Sequence, residues 1–423
     1  MFNIVDYGAI PDGKTINTTA IQTAIDACHA AGGGRVVVPA GVFKTGTLWL
    51  RSNVELHLSM GATLLASENM DDYNALDAYP ENFSCVPEGW VGKHLIIAYE
   101  AENIAITGFG TVDGNCYAFM EAEAENEHYW YRWRSGTCKL KNPDKLRPGQ
   151  TIAIILCRHV TVHDITVKDS GCWSVFLLGC EYVGVRGYKV FNALNIQNSD
   201  ALDIDCCRHV TVSDCILHSG DDGIAIRCAE GLLKEKAHHC EYISIQNCVI
   251  HAAICAFRLG VGTGNIRHVN ISGITVSRSR DLLQFATAYE KSGCACIEDI
   301  RITNISAADT DKVLNLFASN GAYVKNVTIE NIRCDATMMS CIRQNDGIVD
   351  NVRLRNVEII PVDRYDLSNA NHLKMRGNCI FSIKNATNVV LEDVRIRGNL
   401  AQITEQTVFT GCDDMIVRNC AFE

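Results

Sequence analysis

The chain has 423 residues, 47% of them hydrophobic and 21% charged, which is ample apolar material for a large core. A formal net charge of −11 argues against nucleic acid or an anionic membrane surface as the main partner. No uninterrupted apolar run approaches the length needed to span a bilayer, so no membrane partner is expected either.

The opening MFNIVDYGAIPDGKT has no basic start, no apolar stretch and no small-residue cleavage site, which predicts a cytoplasmic protein without a secretory leader. The 21 cysteines fit that compartment. They form no disulfide framework and no compact Cys/His spacing for zinc, and Cys157, Cys180, Cys215, Cys248 and Cys420 fall at core-like strand positions, as reduced small hydrophobes would. No metal and no cofactor is expected.

After Asn17 and Thr18, either of which can N-cap, Ala20, Ile21, Ala24, Ile25 and Cys28 recur at helical spacing until Gly32-Gly33-Gly34 stops the run. The segment RVVVPAGVFKTGTLWLRSNVELHLSMGATLL follows as short strands broken by glycine turns. Residues 1–66 are therefore read as an N-terminal capping helix and first rungs, since the open end of a solenoid needs cover.

From about Ile104 onward the chain repeats one unit, an apolar pair flanked by short polar residues: CRHVTVHDITV, CEYVGVRGYKV, CRHVTVSDCIL, CEYISIQNCVI, IRHVNISGITV and their successors. Their first core positions are Val160, Val183, Val210, Ile243, Val269, Ile300, Val327, Val352, Val389 and Met415. Period-two alternation inside each unit gives short strands, and stacked copies pair in parallel about 4.8 Å apart. This predicts an all-β, single-stranded right-handed parallel β-helix. Length alone would suggest several domains, but a solenoid lengthens one core, so residues 1–423 are read as a single domain. Two stretches break the rhythm, 116–149 and 361–376, and are read as loop insertions standing off the barrel. The first carries Trp130 and Trp133, whose faces could stack on sugar rings or equally serve packing.

The densest polar cluster is NSDALDIDCCRHVTVSDCILHSGDDGIAIR. Asp200 and Asp221 are about one rung apart, so they can lie one above the other, with Asp222 joining them if the chain bends at Gly220 or Gly223. Carboxylates placed this way suit glycoside hydrolysis, in which one protonates the leaving oxygen and another activates water. For inversion they should stand ~6.5–9.5 Å apart. Asp203, Asp205 and Asp214 taken singly are better read as turn residues.

Asn198-Ser199-Asp200 followed by Gly220-Asp221-Asp222 resembles the Asn-Thr-Asp and Gly-Asp-Asp motifs of the polygalacturonases, glycoside hydrolase family 28. The segments VDYGAIPDGKT, TAIQTAIDAC, GGGRVVVPAGVF, GATLLAS and AENIAITGFGTVDGN are similar to that family's N-terminal half. The resemblance implies a right-handed parallel β-helix and inverting hydrolysis, with Asp221 as general acid, Asp200 and Asp222 holding the attacking water, and Arg227 at a position usually held by Lys. Two motifs depart from the family. HAAICAFRLG puts Ile254 or Cys255 where Gly-His-Gly would stand, and LLQFAT puts Leu283 and Phe285 where Arg-Ile-Lys would supply two cations. Arg258, Arg280 and His251 lie nearby in sequence as substitutes. Poor hydrolysis of polygalacturonate is expected, because Leu and Phe cannot hold a carboxylate.

The expected function is an inverting, exo-acting glycosidase on pectin-derived or related oligosaccharides. Two alternatives remain: a polysaccharide lyase using Asp-bound calcium with Arg227 or Arg258 as base, and a non-catalytic carbohydrate-binding solenoid.

Overall fold

Apolar residues at every second position need one buried face, and a parallel partner above and below satisfies the backbone as well. The computed structural model describes residues 1–121, 139–142, 146–288, 293–364 and 376–422, and builds the chain from this arrangement. It divides into two compact units, Met1–Asp222 with Leu232–Ala237, and Gly223–Gly231 with His238–Glu423. Each is parallel β-helix, the fold class the repeat predicts.

In the first unit three stacks of parallel strands share the rungs. One contains Ile96–Tyr99, Ile152–Ile155, Val175–Leu178 and Leu202–Asp205. A second contains Glu102–Gly108, Arg158–His163, Glu181–Arg186 and Arg208–Ser213, and its register aligns Ile104, Val160, Val183 and Val210 as the repeat predicts. The third contains Thr111–Asp113, Thr166–Lys168, Lys189–Phe191 and Ile216–Ser219. In the second unit Ile243, Val269, Ile300, Val327, Val352 and Val389 form the equivalent column.

The expected helix spans Thr18–Ala30 and buries Ile21, Ala24, Ile25 and Cys28. Asn17 precedes it without a side-chain cap bond. Its amide instead ties the entering loop, accepting from Ile10 N at 2.6 Å and donating to Thr15 O at 2.7 Å.

Corners repeat as regularly as strands. Asn103, His159, Tyr182 and His209 all adopt left-handed backbone, with φ between 54° and 57°. His159, Tyr182 and His209 stack ring on ring, with centroids 5.0 Å apart at each step. Cysteines serve other corners. Cys157, Cys207, Cys215 and Cys248 each follow a left-handed residue and donate their thiol to the carbonyl two residues back, at 3.2–3.3 Å. All cysteines among the described residues are free thiols. No helix among them is long and apolar enough to cross a membrane.

Candidate active site

Asp200 lies immediately before the strand Leu202–Asp205, and Asp221 and Asp222 lie in the turn between Ile216–Ser219 and Ile224–Cys228. Ala201 N donates to Asp222 O at 3.0 Å, repeating the pattern by which Ile152 N meets Ser174 O one residue before its register partner Val175. Asp200 is therefore in register with Asp222, and Asp221 is in step with Ser199. The spacing of one rung instead predicts Asp221 above Asp200. The expected bend causes the difference: a side chain on Gly220 would meet Ile196 O at 2.3 Å, so only glycine lets the chain turn there. The turn swings Asp221 out of strand alternation.

All three carboxylates are buried, at 5%, 6% and 3% exposure for Asp200, Asp221 and Asp222. One oxygen of each lies within 4.8 Å of those of the others. That is tighter than the ~6.5–9.5 Å expected for an inverting pair. Such a set can share a proton, hold a water, or hold a divalent cation.

The loop before Asp200 is fastened from several sides. Ser199 Oγ donates to Ile196 O at 2.6 Å and accepts from Gly220 N at 3.1 Å. Asn198, left-handed at φ 55°, donates its backbone N–H to Asp221 Oδ2 at 3.1 Å. Arg147, missed in the sequence, is wholly buried and donates to Gln197 O and Asn198 Oδ1, each at 3.0 Å. It is held in place by a short parallel pairing of Arg147-Pro148 with Trp90-Val91. The described ends of the 116–149 insertion pack inward rather than standing off, since Cys116 and Met120 form a small core with Ile196, on the loop that carries Asn198. Arg147 and Gln197 also line a cavity of about 560 Å³ with Val86, Glu88, Met120 and Leu140.

One face of the first stack carries Trp49, Ile97, Ala153, Phe176 and Asp203 in register. Ile97, Ala153 and Phe176 are at most 1% exposed, and aromatic side chains from residues 79–90 pack on this face at Trp49 and Phe176. Tyr79 meets Trp49 edge-on at 6.4 Å, Phe83 meets Phe176 at 6.0 Å, and Trp90 packs on Trp173 at 5.7 Å. Trp173 is in register with Asp200, since Ser174 N donates to Asp200 O at 2.8 Å and Val175 pairs with Leu202. Its ring packs on Phe83, Trp90 and Phe176, and a lone Trp between a Gly-Cys pair and a strand gave no periodic signal. Trp130 and Trp133 lie outside the described residues. Burial pushes the neighbouring Cys172 thiol well up, with Arg147 opposing and Asp200 and Glu88 reinforcing the shift.

The second unit holds the remaining candidates. Arg280 donates from Nε and Nη2 to Asp281 Oδ2 at 3.0 and 2.8 Å, and Lys312 approaches Oδ1 at 3.7 Å. Burial alone would raise the Asp281 carboxyl, but Arg280, Lys312 and Arg258 together hold it below the usual carboxylate range. Arg280 is thus committed to an internal ion pair. Arg258 is 7% exposed on Cys255–Gly262, Arg227 is half-buried on Ile224–Cys228, and His251 Nδ1 bonds Ser277 Oγ at 3.0 Å. Leu283 and Phe285 are core residues at 0% exposure, paired with Phe257 and Leu259 on one side and with Leu314 and Leu316 on the other. They do not occupy cation positions facing a ligand, so the expectation of poor polygalacturonate hydrolysis loses its premise. Cys255 is equally buried, with its thiol on Gln284 Oε1 at 3.1 Å.

The sequence profile of Glycosyl hydrolases family 28 matches residues 28–348. An exo-poly-alpha-D-galacturonosidase of Dickeya chrysanthemi is 31% identical over 262 residues, covering 55% of this chain and 42% of the relative. A probable polygalacturonase of Vitis vinifera is 26% identical over 231 residues, covering 53% of this chain and 44% of its own. The chain thus spans less than half the length of these curated relatives. The solved family 28 exopolygalacturonase of Yersinia enterocolitica superposes with a TM-score of 0.73 at 21% identity, covering 98% of this chain and 77% of that one.

Proposed function

Because the chain belongs to glycosyl hydrolases family 28, we propose that it is a glycosidase that removes sugars from the ends of pectin-derived oligosaccharides by inverting hydrolysis. The observation that carries this reading is the buried group of Asp200, Asp221 and Asp222 within 4.8 Å. Carboxylates gathered this closely suit glycoside hydrolysis, in which one delivers a proton to the leaving oxygen and others hold the attacking water. Asp221 gives that proton to the leaving oxygen. Asp200 and Asp222, on successive rungs, hold a water between them and take its proton as it attacks the anomeric carbon from the opposite face. With two groups sharing the water, the oxygens can stand closer than in a single acid/base pair.

The aromatic packing supports the end-wise reading. Tyr79, Phe83 and Trp90 pack against Trp49, Phe176 and Trp173 on the N-terminal side of the Asp200 rung, which favours a substrate whose chain ends there. Trp173 offers a wall for the terminal sugar ring. Free thiols throughout the described residues favour a reducing compartment, where short imported oligosaccharides are the available substrate.

The test is product analysis on neutral and acidic pectic oligosaccharides, galacturonate oligomers included. Mono- or disaccharide release from the first minutes, with inverted anomeric configuration by proton NMR, is the expected result. A ladder of intermediate lengths would refute end-wise action, retention would refute the assigned roles, and an unsaturated uronide absorbing in the near ultraviolet would mean β-elimination instead.

A further inference from the structure

Arg147 makes no ion pair among the described residues. It is 0% exposed, and its bonds go to neutral acceptors: Gln197 O and Asn198 Oδ1 at 3.0 Å and Glu88 O at 3.3 Å. A buried guanidinium satisfied this way is costly, and packing alone would be served better by an apolar side chain of similar volume. Two of its three bonds converge on consecutive residues of one loop. The second of these residues, Asn198, is in left-handed backbone, which asparagine tolerates and most residues resist. That conformation aims the Asn198 N–H at Asp221 Oδ2, 3.1 Å away.

We infer that Arg147 is a positioning residue for the acid: by clamping Gln197 and Asn198 it keeps the Asn198 N–H on Asp221 Oδ2, leaving Oδ1 as the oxygen that carries and delivers the proton. This rests on Asp221 being the general acid, as proposed above. No bond to substrate is required of Arg147. Its register partner Trp90 and its bond to Glu88 O anchor it to the segment that forms the aromatic cover, so one side chain ties the closed end of the site to the acid.

The sign of the effect is fixed by the donors. An N–H on one carboxylate oxygen, and a nearby cation, both favour the charged form of the acid. Weakening them raises the pH at which the acid loses its proton, while letting the proton sit on the wrong oxygen slows each turnover.

The experiment measures kcat and kcat/KM against pH for the wild type, Arg147→Lys and Asn198→Ala, using the best-cleaved galacturonate oligomer, with a thermal melt of each protein. Arg147→Lys keeps the charge but loses the fork, and Asn198→Ala removes the acceptor and resists the left-handed backbone. In both variants kcat falls about tenfold with KM within about twofold, and the alkaline limb of the profile moves up by about one pH unit. A folded variant with an unmoved limb overturns the inference. So does a loss of kcat matched by an equal rise in KM. If Arg147→Lys fails to fold, Asn198→Ala decides alone. Asp221→Asn, run beside them, separates the two ideas: full activity there refutes the assignment of the acid, whereas an inactive Asp221→Asn with unmoved limbs elsewhere refutes only the role of Arg147.

Discussion

Asp200 and Asp222 occupy equivalent positions on successive rungs, joined through the Ala201 N–H to the Asp222 carbonyl at 3.0 Å. Their separation is therefore set by the sheet repeat, about 4.8 Å. Asp221 is displaced from this pair by one residue and by the Gly220 turn.

Asp221→Asn should lower kcat by about a thousandfold, since the amide is isosteric but carries no acidic proton. Asp200→Asn and Asp222→Asn should each lower kcat as well. All three variants should melt within a few degrees of the wild type. Initial rates on galacturonate oligomers, with circular dichroism as the folding control, provide the check. Activity within tenfold of wild type in Asp221→Asn would remove it from the acid role.

Asp281→Ala should destabilise the fold by about 3 kcal/mol or more, because it leaves the buried Arg280 without its carboxylate and takes one from Lys312. Urea unfolding monitored by tryptophan fluorescence measures this. Double replacement of Asp281 by Leu and Arg280 by Met should recover part of the loss, since the uncompensated charge goes with it.

His94 makes stability depend on pH. Burial lowers its pKa from 6.5 to about 4, with Tyr79 OH donating to Nε2 at 2.9 Å and Nδ1 meeting Gln150 O at 2.9 Å. The folded chain thus resists a proton that the unfolded chain takes up readily. Above about pH 6.5 neither state is protonated there, and the residue contributes no pH dependence. Between about pH 6.5 and 4 the unfolded state gains the proton first, so stability falls with pH by up to about 3 kcal/mol. Urea midpoints across that range should fall more steeply in the wild type than in His94→Gln. Parallel curves would show that another group dominates.

Thiol reactivity should follow burial. Burial pushes Cys157, Cys172 and Cys334 well up and Cys379 up to about 11, so little thiolate exists at pH 8. A chromogenic disulfide added to native protein should titrate only the partly exposed thiols, Cys85, Cys294, Cys296, Cys412 and Cys420 among the described residues. After denaturation without reductant nearly all 21 should react. Several missing thiols would mean disulfides and an oxidising compartment.

The rung columns were legible in the sequence because a solenoid writes its register directly as a repeat of apolar positions, and Val160 stacks on Val183, and Val183 on Val210, as the alignment of segments predicts. The carboxylate group was legible because all three members lie within about one rung of sequence. The Asp200 register was misread by one residue, since a turn at Gly220 breaks the alternation on which the count depends. Leu283 and Phe285 were misread for a related reason: every residue from Ser279 to Ala286 is buried, so polarity does not reveal which side chains face inward. Arg147 carried no signal. Its partners, Trp90 in register and Asn198 by hydrogen bond, lie far from it along the chain, and no repeat links them.

The aromatic cover formed by Tyr79, Phe83 and Trp90 has a kinetic consequence. On the proposed end-wise reading, a site closed on that side admits substrate and discharges product through one mouth, so each cut requires a fresh encounter, and the velocity is expected to count chain ends and not substrate mass.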